Sequence, residues 1–366
     1  MPLLNYKIAL TLLPFVGDTN GKKLLAYCGG IEEIFKESAS NLAKIQGISH
    51  KVISAIKHNK DIFIRAENEI KFIEENNIKP IFFLDKEYPQ RLKQCVDSPI
   101  LLFYKGNADL NVQRIVSIVG TRTPTIHGKN ICHKLLNSLS QADILVVSGL
   151  AYGIDVCAHK NSMANNLKTV GVLGSGLDII YPEANKSVAM EMIEKGGLLT
   201  EFISGTNPDR QNFPKRNRIV AGMSDIIVVV ESGKKGGSLI TANIGFSYNR
   251  DIAAFPGRPD DALSIGCNLL IKNDIAHLVE SGEDVLKLMN WQNSDKRNSS
   301  FQRSIFVEMD ENEKLLFNII NDKEAHSIDS ICIESGLTMS KTSAVLLGME
   351  FKGVLKSLPG KAYQVI

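Results

Sequence analysis

Four cations and one aromatic crowd into the ten residues Asp209-Arg210-Gln211-Asn212-Phe213-Pro214-Lys215-Arg216-Asn217-Arg218. Lysine and arginine neutralise backbone phosphates, and a phenylalanine face can stack on an unpaired base. Together these residue types suit a grip on a single nucleic-acid strand. Pro214 fits the first turn of a helix that would carry Arg216 and Arg218. Arg122, at the end of an earlier apolar run, could join the same surface. The run has a second reading, as a solvated helix start with Arg216 or Arg218 in an ion pair. At least one of the three arginines is expected to be structural.

Glycine-rich stretches supply the other candidates. They are Gly120-Thr121-Arg122-Thr123-Pro124, Ser148-Gly149-Leu150-Ala151-Tyr152-Gly153, Gly174-Ser175-Gly176, and Glu231-Ser232-Gly233-Lys234-Lys235-Gly236-Gly237-Ser238. Glycine lets a backbone approach an anion, and helix N-terminal amides supply donors. Tight strand-to-helix turns also need glycine, so each loop alone reads equally well as a turn. Gly174-Ser175-Gly176-Leu177-Asp178-Ile179 lacks the third glycine of a dinucleotide fingerprint, and no Walker A loop is present. No cofactor and no metal are expected. Asp155, Asp178 and Glu201 are candidate acids, but lone carboxylates also cap helices or form ion pairs. His159 follows Asp155 by four residues and could pair with it; a structural hydrogen bond is favoured, because no third catalytic partner is evident. The six cysteines form no C-x-x-C pair, which argues against a zinc ribbon.

The elements that must hold these residues show in the apolar pattern. Runs at Ile115–Val119, Ile144–Val147, Val170–Leu173, Leu198–Phe202, Ile226–Val230 and Ile252–Phe255 alternate with helix-length segments. Continuous apolar runs of this length fit strands buried on both faces. The alternation predicts an α/β fold, a Rossmann-like, doubly wound, mostly parallel sheet. Ligands then bind beyond the carboxyl ends of the strands, where the glycine stretches fall.

Residues 1–75 read as a helical domain. Helix pairs broken at Gly17 and Gly47 outline a helix-hairpin-helix, although Ser49 sits where such turns often carry another glycine. Residues 76–290 form the Rossmann-like domain and 291–308 a polar linker. In residues 309–366, three helical patterns precede two strands around Pro359-Gly360-Lys361, the outline of a winged helix. Hydrophobic content is 44% and charged content 22%, enough apolar residue for a full core. Net charge is only +2, so any basic footprint must be local. Neither a signal-peptide pattern nor a membrane-length apolar run is seen, and a cytoplasmic protein is expected.

The central region resembles the DprA (Smf) family of DNA-processing proteins. The matching stretches are Ile118–Pro124, Val147–Asp155, Ala158-His159, Val172–Asp178, Tyr181-Pro182, Phe213–Gly222, Gly237–Ala242, Pro256-Gly257 and Gly266–Ile271, in family order. The resemblance implies a homodimer that binds and protects incoming single-stranded DNA and helps load RecA recombinase during natural transformation, without catalysis. It places Arg122, Phe213, Lys215, Arg216, Asn217 and Arg218 along the DNA groove. Gly120, Thr121, Ser148, Gly149, Gly237 and Ser238 complete the expected site. One departure is Lys235-Gly236-Gly237-Ser238, where family members commonly show Lys-Ser-Gly-Ser. If the missing hydroxyl contacts phosphate, Ser238 or backbone amides must suffice.

Two alternatives compete. A nucleotide-processing hydrolase of the lysine-decarboxylase-like Rossmann group would carry Pro-Gly-Gly-x-Gly-Thr-x-x-Glu; Gly236-Gly237-Ser238-Leu239-Ile240-Thr241-Ala242 offers no carboxylate there. A transcription regulator would read bases through the winged helix, but Thr338 to Phe351 carries only Lys341 as a cation.

Overall fold

Val and Ile are stiff at χ1 and pack well on a pleated surface, so their runs become strands. The computed structural model describes residues 3–59, 61–291, 310–320, 326–352, 354–358 and 362–365. They fall into two units, divided after Gln292. The strands of the first unit are β1 (Lys79–Phe82), β2 (Leu101–Gly106), β3 (Ile115–Val119), β4 (Leu145–Ser148), β5 (Thr169–Val172), β6 (Gly196–Thr200), β7 (Ile226–Val229), β8 (Asp251–Ala254) and β9 (His277–Leu278). Its helices are α1 (Leu3–Leu12), α2 (Asp18–Cys28), α3 (Ile31–Lys36), α4 (Ala39–Leu42), α5 (His50–His58), α6 (Asp61–Glu75), α7 (Gln90–Lys93), α8 (Ile126–Leu139), α9 (Ile154–Ala164), α10 (Lys186–Glu194), α11 (Asn212–Met223), α12 (Gly237–Ser247), α13 (Ile265–Lys272) and α14 (Gly282–Leu288).

The sheet order is β1-β2-β6-β5-β4-β3-β7-β8-β9. Neighbours from β6 to β9 run parallel. β2 and β1 add an antiparallel edge beyond β6. Every apolar run expected as a strand is one. Period-two alternation sorts the side chains between two helical layers. Ile115, Val119, Leu145 and Val147 join one core with Ile219 and Val220 of α11 and Ala242 of α12. Val116, Ile118 and Val146 join the other with Leu135 and Leu136 of α8 and Ile154 and Ala158 of α9. The sheet is therefore covered on both faces, as the doubly wound class requires. β3 leads through α8 to β4 on one side, whereas β7 returns to the other side of β3. That reversal opens a crevice at the carboxyl ends of β3, β4 and β7.

The N-terminal helices share one apolar cluster with the β1–β2 edge. Ile8, Leu24, Ile34 and Ile56 pack in the cluster that also holds Phe82, Leu101 and Phe103. Gly47 adopts φ +86° in the turn before α5, and Ser49 caps that helix through the Val52 amide.

The second unit holds α15 (Glu311–Ile320), β10 (His326–Ser327), α16 (Ile328–Ser335), α17 (Met339–Phe351), β11 (Leu355–Leu358) and β12 (Ala362–Val365). Its sheet runs β10-β12-β11, all antiparallel. Leu316, Ile320, Ile331, Leu346, Met349 and Leu355 form a separate core. This is a winged helix. The expected linker from 292 and the turn at 359–361 lie outside the described residues. Among the described residues, no helix is long and apolar enough to cross a membrane.

Candidate functional site

The crevice is a cavity of about 610 Å³. Three loops and one helix wall it. The loop after β3 brings Gly120, Thr121 and Arg122, and the loop after β4 brings Gly149 and Ala151. The start of α12 brings Gly236, Gly237 and Ser238, and α11 brings Phe213, Arg216 and Asn217.

The β3 loop is held from below. Glu231, at the end of β7, accepts the Thr121 amide on its carbonyl at 2.7 Å. Its carboxylate accepts the Thr125 amide at 2.9 Å and the Thr125 hydroxyl at 2.6 Å. Thr125 in turn caps α8 through the Gly128 amide at 3.0 Å. Arg122 is left exposed at the rim, with its guanidinium 5.5 Å from the Phe213 ring centroid. Phe213 lies 6.0 Å from the Tyr181 ring, on a narrower slot that also includes Tyr152.

Arg216 forms the floor. It is 4% exposed and donates to the Gly149 carbonyl, to the Val172 carbonyl at 2.5 Å and to Asn217 Oδ1 at 3.0 Å. Burial pulls its pKa below the ordinary arginine value, against the field of Asp155. Burial likewise pushes the Asp155 carboxyl up, against the field of Arg216. The two groups keep a buried charge in balance at the base of the cavity.

The glycines differ in purpose. A Cβ at Gly149 would run into the Arg216 guanidinium, so packing alone demands glycine there. A Cβ at Gly236 or Gly237 would find its nearest neighbours at 3.7 and 3.9 Å, ordinary contact distances. Nothing within the protein requires glycine at either position. They leave the amides at the start of α12 open to an anion. Ser238 is buried beside them, its hydroxyl 2.9 Å from Ser232 Oγ.

Three expected residues lie elsewhere. Ser148 is fully buried, and its hydroxyl donates to the Ile118 carbonyl at 2.6 Å. Lys215 and Arg218 lie along another depression, of about 520 Å³, shared with Asp18, Asp97 and Glu201. Arg218 pairs with Asp18 at 3.1 Å and with Glu201, and donates to the Asp97 carbonyl. It is a structural arginine, tying α2 to the sheet. The Asp155–His159 pairing is absent. Thr169 Oγ1 donates to the Val146 carbonyl, so His159 Nδ1–H donates to Thr169 at 2.7 Å. Asp155 instead accepts the Ala151 amide at 3.4 Å.

Arg210 and Lys235 were not among the expected contacts, yet both line the cavity and are exposed. Among the described residues, Arg122, Arg210 and Lys235 make no ion pair. Ser232 was also missed. The signals were present: Arg210 belongs to the basic run, and Lys235 and Ser232 to the last glycine-rich stretch. Among the described residues, no cluster of His, Cys, Asp or Glu could hold a metal ion.

The family model described as DNA recombination-mediator protein A matches residues 79–290. The chain belongs to the DNA recombination-mediator protein A family. The family's DprA winged helix domain matches residues 308–361. Among relatives, Protein Smf of Synechocystis sp. is 32% identical, with 98% of each chain covered. DNA processing protein DprA of Streptococcus pneumoniae is 42% identical over 56% of this chain and 71% of its own. The crystal structure of the Streptococcus pneumoniae protein superposes with a TM-score of 0.66 at 33% identity, covering 78% of this chain and 98% of that one. A Helicobacter pylori DNA processing protein A structure, described for its single-stranded DNA binding mode, superposes at 0.53 with 26% identity over 58% of this chain and 96% of its own. The cavity of this DNA recombination-mediator protein A family member falls wholly within the matched residues 79–290.

Proposed function

We propose that this chain binds single-stranded DNA in the cavity at the carboxyl edge of β3, β4 and β7, without catalysing a reaction on it. The observation that carries this reading is the set of three exposed, unpaired cations, Arg122, Arg210 and Lys235, around an opening lined by free helix amides and by Phe213. Cations and amides take phosphates, and the ring takes a base, which only an unpaired strand presents. Family membership supports the finer reading that the protein, as a cytoplasmic homodimer, protects incoming DNA and hands it to RecA in transformation. The direct test compares single-stranded with duplex DNA of the same sequence at matched salt. Preference for the single strand, lost in Arg122→Ala with Lys235→Ala, is expected. Equal affinity for both forms would remove the base-stacking part of the reading.

Asp155 favours a second reading, as an acid working on a nucleotide. It lines the cavity with its carboxyl pushed up by burial. Incubation with nucleoside monophosphates separates the two. Strand binding without catalysis gives no free base, and steady release abolished by Asp155→Asn would establish the enzyme.

A further inference from the structure

Below the cavity, α8 and α9 pack against each other on one face of the sheet. Each contributes a cysteine to that contact. Cys132, in the second turn of α8, is fully buried. Cys157, in the first turn of α9, is partly exposed. The Cys157 sulfur accepts Asn161 Nδ2–H at 3.3 Å, and Asn161 Oδ1 accepts His133 Nδ1–H at 2.8 Å. This chain of contacts crosses from α9 to α8 at the residue after Cys132. We propose that Cys132 and Cys157 are an oxidisable thiol pair that takes a hydroperoxide and closes to a disulfide beneath the cavity.

The surroundings assign the roles. The Cys132 thiol is hydrogen-bonded to Cys157, and that contact, then Lys129, Asn161 and His133, lowers the Cys157 pKa. The same contact and burial hold Cys132 as a thiol. Cys28, Cys95 and Cys267 are all pushed up by burial. Cys157 is therefore the attacking thiolate and Cys132 the resolving thiol. The Cys157 thiolate takes the terminal oxygen of the hydroperoxide, the O–O bond breaks, and the alkoxide leaves as alcohol with a proton from water. Cys132 sulfur then attacks Cys157 sulfur, the S–O bond breaks, and hydroxide leaves as water with the Cys132 proton. Two thiols are oxidised to one disulfide, and one hydroperoxide is reduced to alcohol and water.

The bridge would reach the groove. α8 begins just after Arg122 and Thr125, and the Ile154 amide at the start of α9 donates to the Thr121 carbonyl at 3.1 Å. Fixing the two helices together therefore constrains two of the cavity's loops.

The experiment treats the reduced full-length protein with hydrogen peroxide, blocks free thiols and maps peptides without reduction. The expected product is a Cys132–Cys157 linked peptide, with the other four cysteines still alkylated. In Cys132→Ala, Cys157 should instead be captured as a dimedone adduct, and in Cys157→Ala neither product should form. A wild-type map with Cys157 unmodified, or bridged to another cysteine, overturns the proposal; so does a Cys157 dimedone adduct equally abundant with and without Cys132. The peptide map on the unaltered chain decides the matter even if a variant misfolds. None of these readouts depends on DNA binding.

Discussion

Lys215, Arg216 and Arg218 are near neighbours in one helix with three different surroundings. At 3.6 residues per turn, Lys215 and Arg218 share a stripe of α11, while Phe213, Arg216 and Asn217 share another. The sequence displays the charges, but only the packing of α11 on the sheet shows which stripe faces the crevice. Lys215→Ala should therefore weaken strand binding much less than Arg122→Ala, measured by fluorescence anisotropy under the same salt. Arg218→Ala should act on stability instead. It leaves Glu201, whose carboxyl burial already pushes up to about 7, without its cation. Breaking such a pair costs about 3 kcal/mol or more, visible in a denaturant melt with the strand affinity of the folded fraction little changed. His159 gives a pH signature. Its pKa is held near 3 by burial, whereas an unfolded histidine titrates near 6.5. The folded state binds fewer protons between those values, so stability is lost as pH falls from about 6.5 toward 3. Between pH 7 and pH 5, the melting temperature of the wild type should fall more than that of His159→Gln. Equal falls would show that His159 does not titrate on unfolding.

At the scale of elements, the strands were readable because each buried run is apolar on both faces. β9 and β10 were not, since two residues carry no pattern. The glycine-rich stretches were readable as loops, yet sequence could not separate a glycine demanded by packing from one left open for a ligand. Cβ space separates them, and it sets opposite expectations. Gly149→Ala forces its methyl into the Arg216 guanidinium and should lower the melting temperature. Gly237→Ala meets nothing closer than 3.9 Å and sits at the start of a helix. It should leave stability unchanged or raise it by up to about 1 kcal/mol, while weakening strand binding. A stability loss from Gly237→Ala comparable to that from Gly149→Ala would contradict this division of roles.

At the scale of the molecule, the cavity belongs entirely to the first unit, and the winged helix has its own core. Removing residues 293–366 should therefore leave the single-strand affinity of the remaining chain within a few-fold. The family motifs were legible because the residues they fix, from Gly120 to Ser238, sit at one edge of one sheet. The rim cations Arg210 and Lys235 were harder to read, because exposure and lack of a partner are properties of the folded surface. The account stands on those rim cations. The decisive measurement is the salt dependence of single-stranded DNA affinity for the wild type and for Arg122→Ala/Arg210→Ala/Lys235→Ala. Each lost phosphate contact lowers the slope of log affinity against log salt by about 0.7, so the triple variant should lose about 2 from that slope along with most of its affinity. A slope unchanged from the wild type would place the strand somewhere other than this cavity.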